Sequence, residues 1–313
     1  MTTESRLLVR VVLLLLLLLA ALAACQDPAG PGAVGSIDEL PRPLTASEEL
    51  VISGSNAFGL GLMSAVLEVD GRPNVVLSPL SASMALGMGL NGAAGTTLDG
   101  MRTALAYEGL SREEINDSYR GLLDLLADLD PTVELAIANS AWANREYSFR
   151  QPFLDALTEH FDAEVRSLDF ADPATLTAIN GWASDRTEGR IEKILDRLGR
   201  EQALILLNAV WFDGRWTTRF DPDDTRQRAF TRDDGSTVTV PMMHVAGVEM
   251  PFGGNGDLVA VDLPYGGGAF SMTVAVPFGS EPARDILADM DDAAWDALIG
   301  SLQEREVDAI ELP

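Results

Sequence analysis

Apolar residues recur at helical spacing between Leu50 and Leu67, at Leu50, Val51, Phe58, Leu62, Val66 and Leu67. Thr45-Ala46-Ser47-Glu48 stands in front of them as a capping box, so a helix is predicted to start there. Residues 74–78 (NVVLS) read as a short strand closed by Pro79. Helices follow over 80–92, 96–106 and 111–128, the last with Leu122, Leu123, Leu125, Leu126 and Leu129 on one face. From Thr132 the pattern changes: 133–138 alternates as a half-buried strand would, and 150–161 and 173–187 return to helix. The run 203–212 (ALILLNAVWF) is nearly all apolar, as expected of a strand covered on both faces. Strand character then dominates at 227–231, 237–243, 258–263 and 270–276, with short helices at 281–289 and 291–299 and a final strand at 305–312. Helices gathered early and strands late argue for an α+β fold rather than alternating βαβ units.

The first residues carry a different signal. Arg6 and Arg10 precede an uncharged apolar stretch from Val11 to Ala24, too short for the roughly 20 residues of a membrane-spanning helix and typical of a secretory leader. Leu22-Ala23-Ala24-Cys25 resembles the lipobox of bacterial lipoproteins, and Cys25 is the only cysteine of the chain. The expectation is a leader over 1–24, lipidation at Cys25, and a Pro- and Gly-rich tether over 25–44 ahead of the folded part at 45–313. The protein would then be exported and lipid-anchored to the cell envelope, facing the extracellular or periplasmic space.

Charge narrows the field further. Against 48 Asp and Glu stand 22 Lys and Arg, a balance of −26 that repels nucleic acid. The 47% apolar content is too high for a disordered chain. One cysteine allows neither an internal disulfide nor a multi-thiolate metal site, and no cofactor is implied.

No catalytic apparatus stands out. Gly87-Met-Gly-Leu-Asn-Gly92 matches a dinucleotide fingerprint, but Pro79 and the helical stretch 81–86 separate it from the preceding strand, so its glycines are expected to serve close helix packing. There is no G-x-S-x-G elbow, and the lone Lys193 has Arg190 where an S-x-x-K motif needs serine. His160 and His244 stand far apart in sequence and form no H-x-x-x-H pair; each is read as a structural or surface residue, with a triad through one of them left open. Asp221-Pro-Asp-Asp224 reads as a solvated turn, and Asn116-Asp-Ser118 matches a glycosylation sequon. These readings favour binding or inhibition over enzymatic activity.

A series of segments, in order along 55–313, resembles the serpin family of serine protease inhibitors. They include Asn74-Val-Val-Leu-Ser-Pro-Leu-Ser81, Leu90-Asn-Gly-Ala-Ala-Gly-Thr-Thr97, Ile179-Asn-Gly-Trp182 and Thr187-Glu-Gly-Arg-Ile191. Leu207-Asn-Ala-Val-Trp-Phe-Asp-Gly-Arg-Trp216, Val240-Pro-Met-Met243 and Leu263-Pro-Tyr265 continue the series. The resemblance implies the serpin fold, about nine helices and three β-sheets, incomplete at the C-terminus. It also implies a monomer whose partner is a serine protease or a papain-like cysteine protease. In that family an exposed reactive loop is cleaved and inserts as a strand into the central sheet, dragging the acyl-enzyme with it. The resemblance places Ser78, Ser81 and Asn208 at the shutter, the polar cluster beneath that sheet, and Trp216 at the breach where the loop enters. The chain ends at Glu311-Leu312-Pro313 before any segment resembling the reactive loop, so no scissile P1 residue is assigned. A non-inhibitory binding module and an inactive fragment remain the alternatives.

The lipobox makes a direct prediction. Expressed in a bacterial host, the chain should incorporate labelled fatty acid and fractionate with membranes, and Cys25→Ala should abolish both. Unchanged labelling of the variant would refute the lipidation site.

Overall fold

A computed structural model of the chain describes residues 36–37, 39–232 and 235–313. The expected leader, Cys25 and the first part of the tether lie outside the described residues.

Helix α1 (Ala46–Val69) starts as its capping box requires. Thr45 Oγ1 accepts from the Glu48 amide at 3.2 Å, and Glu48 Oε2 accepts from the Thr45 amide at 2.8 Å. The same carboxylate takes a two-pronged contact from Arg42 at 2.8 and 2.6 Å, and Arg42 Nη2 also donates to the Gly121 carbonyl at 2.9 Å. The ordered body therefore reaches back into the expected tether: Arg42 is clamped, and the Ile37 amide donates to the Gly267 carbonyl at 2.8 Å. Gly121 is obligatory there, because a Cβ would stand 2.3 Å from Glu48 Oε1.

Helices α2 (Pro79–Leu90), α3 (Gly95–Ala104), α4 (Arg112–Ala127) and α5 (Gln151–Phe161) follow where the periodicity puts them. With α1 they enclose a core of Val51, Met84, Met88, Leu105, Ile115, Leu157 and Phe161. A hydroxyl chain crosses this core from Ser55 Oγ through the Tyr107 and Tyr119 hydroxyls, each link 2.8 Å, to the Ser83 carbonyl at 2.9 Å. Burial pushes the Tyr119 phenol well above its ordinary range, so it stays protonated and able to donate. Gly87 explains the fingerprint match: a Cβ there would lie 2.7 Å from the Tyr119 ring, so the small residue serves helix packing. Asn116, the sequon residue, is 5% exposed and exchanges side-chain hydrogen bonds with Asn91 at 2.9 Å in each direction, so it offers no acceptor for a glycan.

The first sheet has three strands. β1 (Glu134–Asn144) lies between β2 (Ala163–Leu168), parallel to it, and β3 (Leu204–Asp213), antiparallel. Helix α5 is the crossover between the parallel pair, so one βαβ unit does occur within the α+β plan. The second sheet holds β4 (Arg226–Thr231), β5 (Thr237–Gly254), β6 (Leu258–Tyr265), β7 (Phe270–Pro277) and β8 (Gln303–Leu312). The 18-residue β5 changes partner along its length, pairing β4 over 237–242, β8 over 243–252 and β6 over 252–254. Helix α6 (Pro173–Arg186) lies on the first sheet, and α7 (Ala283–Ala288) and α8 (Asp292–Gly300) pack on a core with Leu258 and Ala260 of the second. The described residues thus hold eight α-helices and one 3-10 turn, in the mixed architecture expected.

Four elements depart from expectation, one being β5, which runs to Gly254 rather than ending at 243 because it takes β8 and then β6 as further partners. Residues 74–78 make no strand, since no backbone among the described residues pairs with them; they run into α2 with Val76 92% exposed. β2 went unforeseen, since it follows α5 after one left-handed residue, Asp162 (φ 50), and carries only six residues. β1 runs on to Asn144, past the expected end at 138, because the buried polar residues Asn139, Ser140 and Asn144 interrupt its apolar pattern but not its pairing.

The Arg42–Glu48 clamp sets an acid limit on stability. The guanidinium hydrogen bond is the main reason that the Glu48 pKa falls from 4.5 to about 2. A depressed carboxylate stabilises the fold above its unfolded pKa and loses that contribution as pH falls through the folded value. Urea stability should therefore decline between pH 4.5 and about 2, and Glu48→Gln should flatten this decline while costing about 2 kcal/mol at neutral pH. A pH profile identical for variant and parent would refute the assignment.

Candidate functional site

β3 is a ten-residue strand with the sequence LILLNAVWFD. Its side chains alternate, as the pleat dictates: Leu204 and Leu206 pack into the helical core, while Ile205, Leu207 and Ala209 pack under α6 with Trp142, Ile179 and Trp182. Both faces are covered, as the apolar run predicted. Its one neighbour among the described residues is β1, so the other edge is open and most of β3 is only half-buried.

The polar centre of this sheet is a pair of asparagines. Asn139 and Asn208 are register partners across β1 and β3, and Asn208 Nδ2 donates to Asn139 Oδ1 at 2.9 Å. It also lies 3.4 Å from Met84 Sδ, while Asn139 Nδ2 donates to the Phe161 carbonyl at 2.8 Å. Asn208 Oδ1 is shut off from solvent and has no donor. One amide on the half-paired strand thus keeps an unused acceptor, a costly arrangement in a native core.

The sequence-predicted residues fall in two places. Asn208 lies at this centre. Ser78 and Ser81 lie at the N-terminus of α2, where Ser78 Oγ caps the Ser81 amide at 3.3 Å and donates to Ser81 Oγ at 2.8 Å. Ser78 is exposed and Ser81 half-buried, and neither bonds to Asn208. The local reason is Pro79 at the first helical position, which makes the preceding serine an N-cap. The buried serine of this helix is Ser83, whose Oγ donates to the Leu80 carbonyl at 3.0 Å. Asn139 and Met84 went unnoticed; a polar residue inside the run AIANSA was the available signal for the first, and nothing in the local pattern marked the second.

Helix α6 and the segment after it cover this sheet. Trp182 meets Trp142 edge-on at 6.3 Å, and the Arg166 guanidinium sits 5.3 Å over the Trp142 ring. Thr187 ends the helix by donating to the Ala183 carbonyl and accepting from the Ile191 amide. Asn180 accepts from the amides of Ile194 and Leu195 and donates back to the Leu195 carbonyl, while Asn144 Nδ2 holds the carbonyls of Arg200 and Gln202. The chain from α6 to β3 is thereby held by side-chain amides at two points rather than by a sheet ladder.

Beyond β3, Trp216 stacks on Tyr265 with ring centroids 4.3 Å apart and planes 16° apart, and bridges to the same residue through its backbone. Phe212, Phe220 and Phe270 surround the pair, and burial raises the Tyr265 phenol pKa. The cluster fastens the exit of β3 to β6. The histidines stand elsewhere. His160 Nδ1 is 3.5 Å from Asp117, and His244 Nδ1 is 3.4 Å from Glu311, which also meets Arg228. The Asp221 side chain caps the amide of Asp223, closing a short 3-10 turn as expected of a solvated acidic loop.

A family model described as "Serpin (serine protease inhibitor)" matches residues 53–313. Corticosteroid-binding globulin of Saimiri sciureus is 31% identical over 208 residues, which is 65% of this chain and 51% of that protein. An uncharacterized serpin-like protein of Thermococcus kodakarensis is 34% identical over 220 residues, 68% of this chain and 50% of its own length. The crystal structure of tengpin, a thermophilic serpin in the latent state, superposes with a TM-score of 0.77 at 26% identity, covering 87% of this chain and 72% of that one. The chain spans about half the length of these curated relatives.

The asparagine pair yields a coupling test. Asn208→Ala leaves Asn139 Oδ1 without its donor and should cost about 1–3 kcal/mol in urea unfolding. Combined with Asn139→Ala, the total should fall short of the sum of the single losses by more than about 0.5 kcal/mol. Strict additivity would mean that the two amides act independently.

Proposed function

The chain belongs to the serpin family, and on that premise we propose that it is the body of an inhibitor of serine endopeptidases that traps its target by strand insertion. The observation that carries this reading is the family match over residues 53–313, together with the amide pair of Asn139 and Asn208 at the centre of the small sheet. A strand added beside β3 would pair with the backbone groups on its second edge and extend the sheet. A cleaved reactive loop is the strand the family resemblance supplies. The protease serine attacks the scissile carbonyl and the new amino end leaves. The ester-linked enzyme is then carried along as the loop enters the sheet, before water can reach the ester. Trp216 and Tyr265, at the exit of β3, would mark where entry starts, and Asn208 with Asn139 would re-pair as the sheet takes a further strand. Ser78 and Ser81 would act by holding α2, which carries Met84 against Asn208.

Anchorage through Cys25 would place this inhibitor on a bacterial envelope, where it guards surface proteins against serine proteases or papain-like ones as a monomer. A second reading is a non-inhibitory binding module. It is favoured by the similarity to a globulin named for binding corticosteroids.

One experiment separates the two. The full gene product is mixed with trypsin-, chymotrypsin- and papain-like proteases and resolved by denaturing electrophoresis after boiling. A covalent complex with one protease, lost on Trp216→Ala or slowed on Asn208→Leu, is the expected result. Turnover to cleaved protein alone, with no complex and no gain in thermal stability after cleavage, would overturn inhibition and leave the binding module.

A further inference from the structure

A cleft of about 940 Å³ opens between the turn joining α2 to α3, the first turns of α3 and α4, and the start of α5. Its wall includes Arg112 and Arg150 and not one carboxylate, in a chain that carries 48 of them. Neither guanidinium is neutralised by an ion pair among the described residues. Arg112 Nη2 donates to the Ala93 carbonyl at 2.7 Å, while its Nε is buried without an acceptor. Two helices begin in this wall without a side-chain cap, α3 after Ala94 and α5 after Arg150; Pro152 lacks an N–H and the Phe153 amide donates to the Arg150 carbonyl, so it is the first turn of α3 that adds positive potential. The remaining surface is apolar and partly flat: Phe149 and Phe153 stack with centroids 6.2 Å apart, beside Met101 and Leu204. Asn91 and Asn116 beneath them spend their amides on each other, which leaves the arginines, the Thr97 and Ser148 hydroxyls and the uncapped amides of α3 as the polar contacts on offer.

The geometry points to a binding site for a small phosphate monoester carrying a flat apolar group. The phosphate sits between Arg112, Arg150 and the start of α3, and the apolar group lies against Phe149 and Phe153. The dianion would neutralise two guanidiniums that the fold holds together without a counter-charge, and it would brace α3, α4 and α5 against one another.

The test titrates the full chain with phenyl phosphate and with phenol, by calorimetry and thermal melting. Saturable binding of phenyl phosphate with Kd on the order of 1 mM or tighter is expected, with phenol at least about 10-fold weaker. Arg150→Gln, at an exposed position, should weaken phenyl phosphate about 10-fold. Ala94→Asp supplies the missing cap of α3 and also puts a carboxylate into the cleft, so it should hold or raise the melting temperature while abolishing binding. The site is refuted by absence of saturable binding up to about 10 mM, by equal affinity for phenol, or by either folded variant binding like the parent.

Discussion

The strand β3 is packed on two faces, and that double burial organises the molecule around it. Leu204 and Leu206 belong to the helical core, and Ile205 and Leu207 to the core under α6, so β3 cannot move without disturbing both. At its middle, Asn208 spends its donor on Asn139 and keeps a buried acceptor unused. A fully apolar strand would have been more comfortable in this place; the amide pair costs stability and offers hydrogen bonds that can be exchanged.

The parts around β3 are held by side-chain contacts suited to that situation. Asn144 pins the segment after α6 to the sheet, while Asn180 and Thr187 hold that segment to α6 itself, all through isolated hydrogen bonds that can break one at a time. The five-helix side is different. Its hydroxyl chain from Ser55 to Ser83 runs through Tyr107 and Tyr119, and the Arg42–Glu48 clamp ties the approach to α1 onto α4. Arg284 performs a similar task at the other end of α1, donating to the carbonyls of Leu67, Asp70 and Arg72. One side of the small sheet is thus tightly stapled and the other is loosely laced, which fits a fold whose family resemblance calls for a sheet that opens.

Similarity to the serpin family extends over most of the chain, and its members named above include a corticosteroid-binding globulin as well as a thermophilic serpin in the latent state. Fold alone therefore decides neither inhibition nor binding. The cleft beside Arg112 and Arg150 is separate from the amide pair, although Leu204 at the start of β3 lines it. Occupancy there would load the helical side on which β3 leans.

Local chemistry was legible without the fold. The capping box at Thr45, the helix starts at Ser78 and Ser111, the doubly buried run at β3 and the packing role of Gly87 all follow from residue type and spacing, because each is decided within a few residues of itself. Strand pairing was not legible in this way. Residues 74–78 have the composition of a strand and no partner, whereas the short β2 has a partner and little pattern. The same limit applies to the site. The family resemblance singled out Asn208, but Asn139 became its partner only through cross-strand register. Sequence determined the helices, the caps and the family resemblance; tertiary structure decided which edges pair, which amides meet and which arginines share a cleft. The physical reason is that backbone preference and periodicity are local, while hydrogen-bond partners and counter-charges come from parts of the chain that only folding brings together.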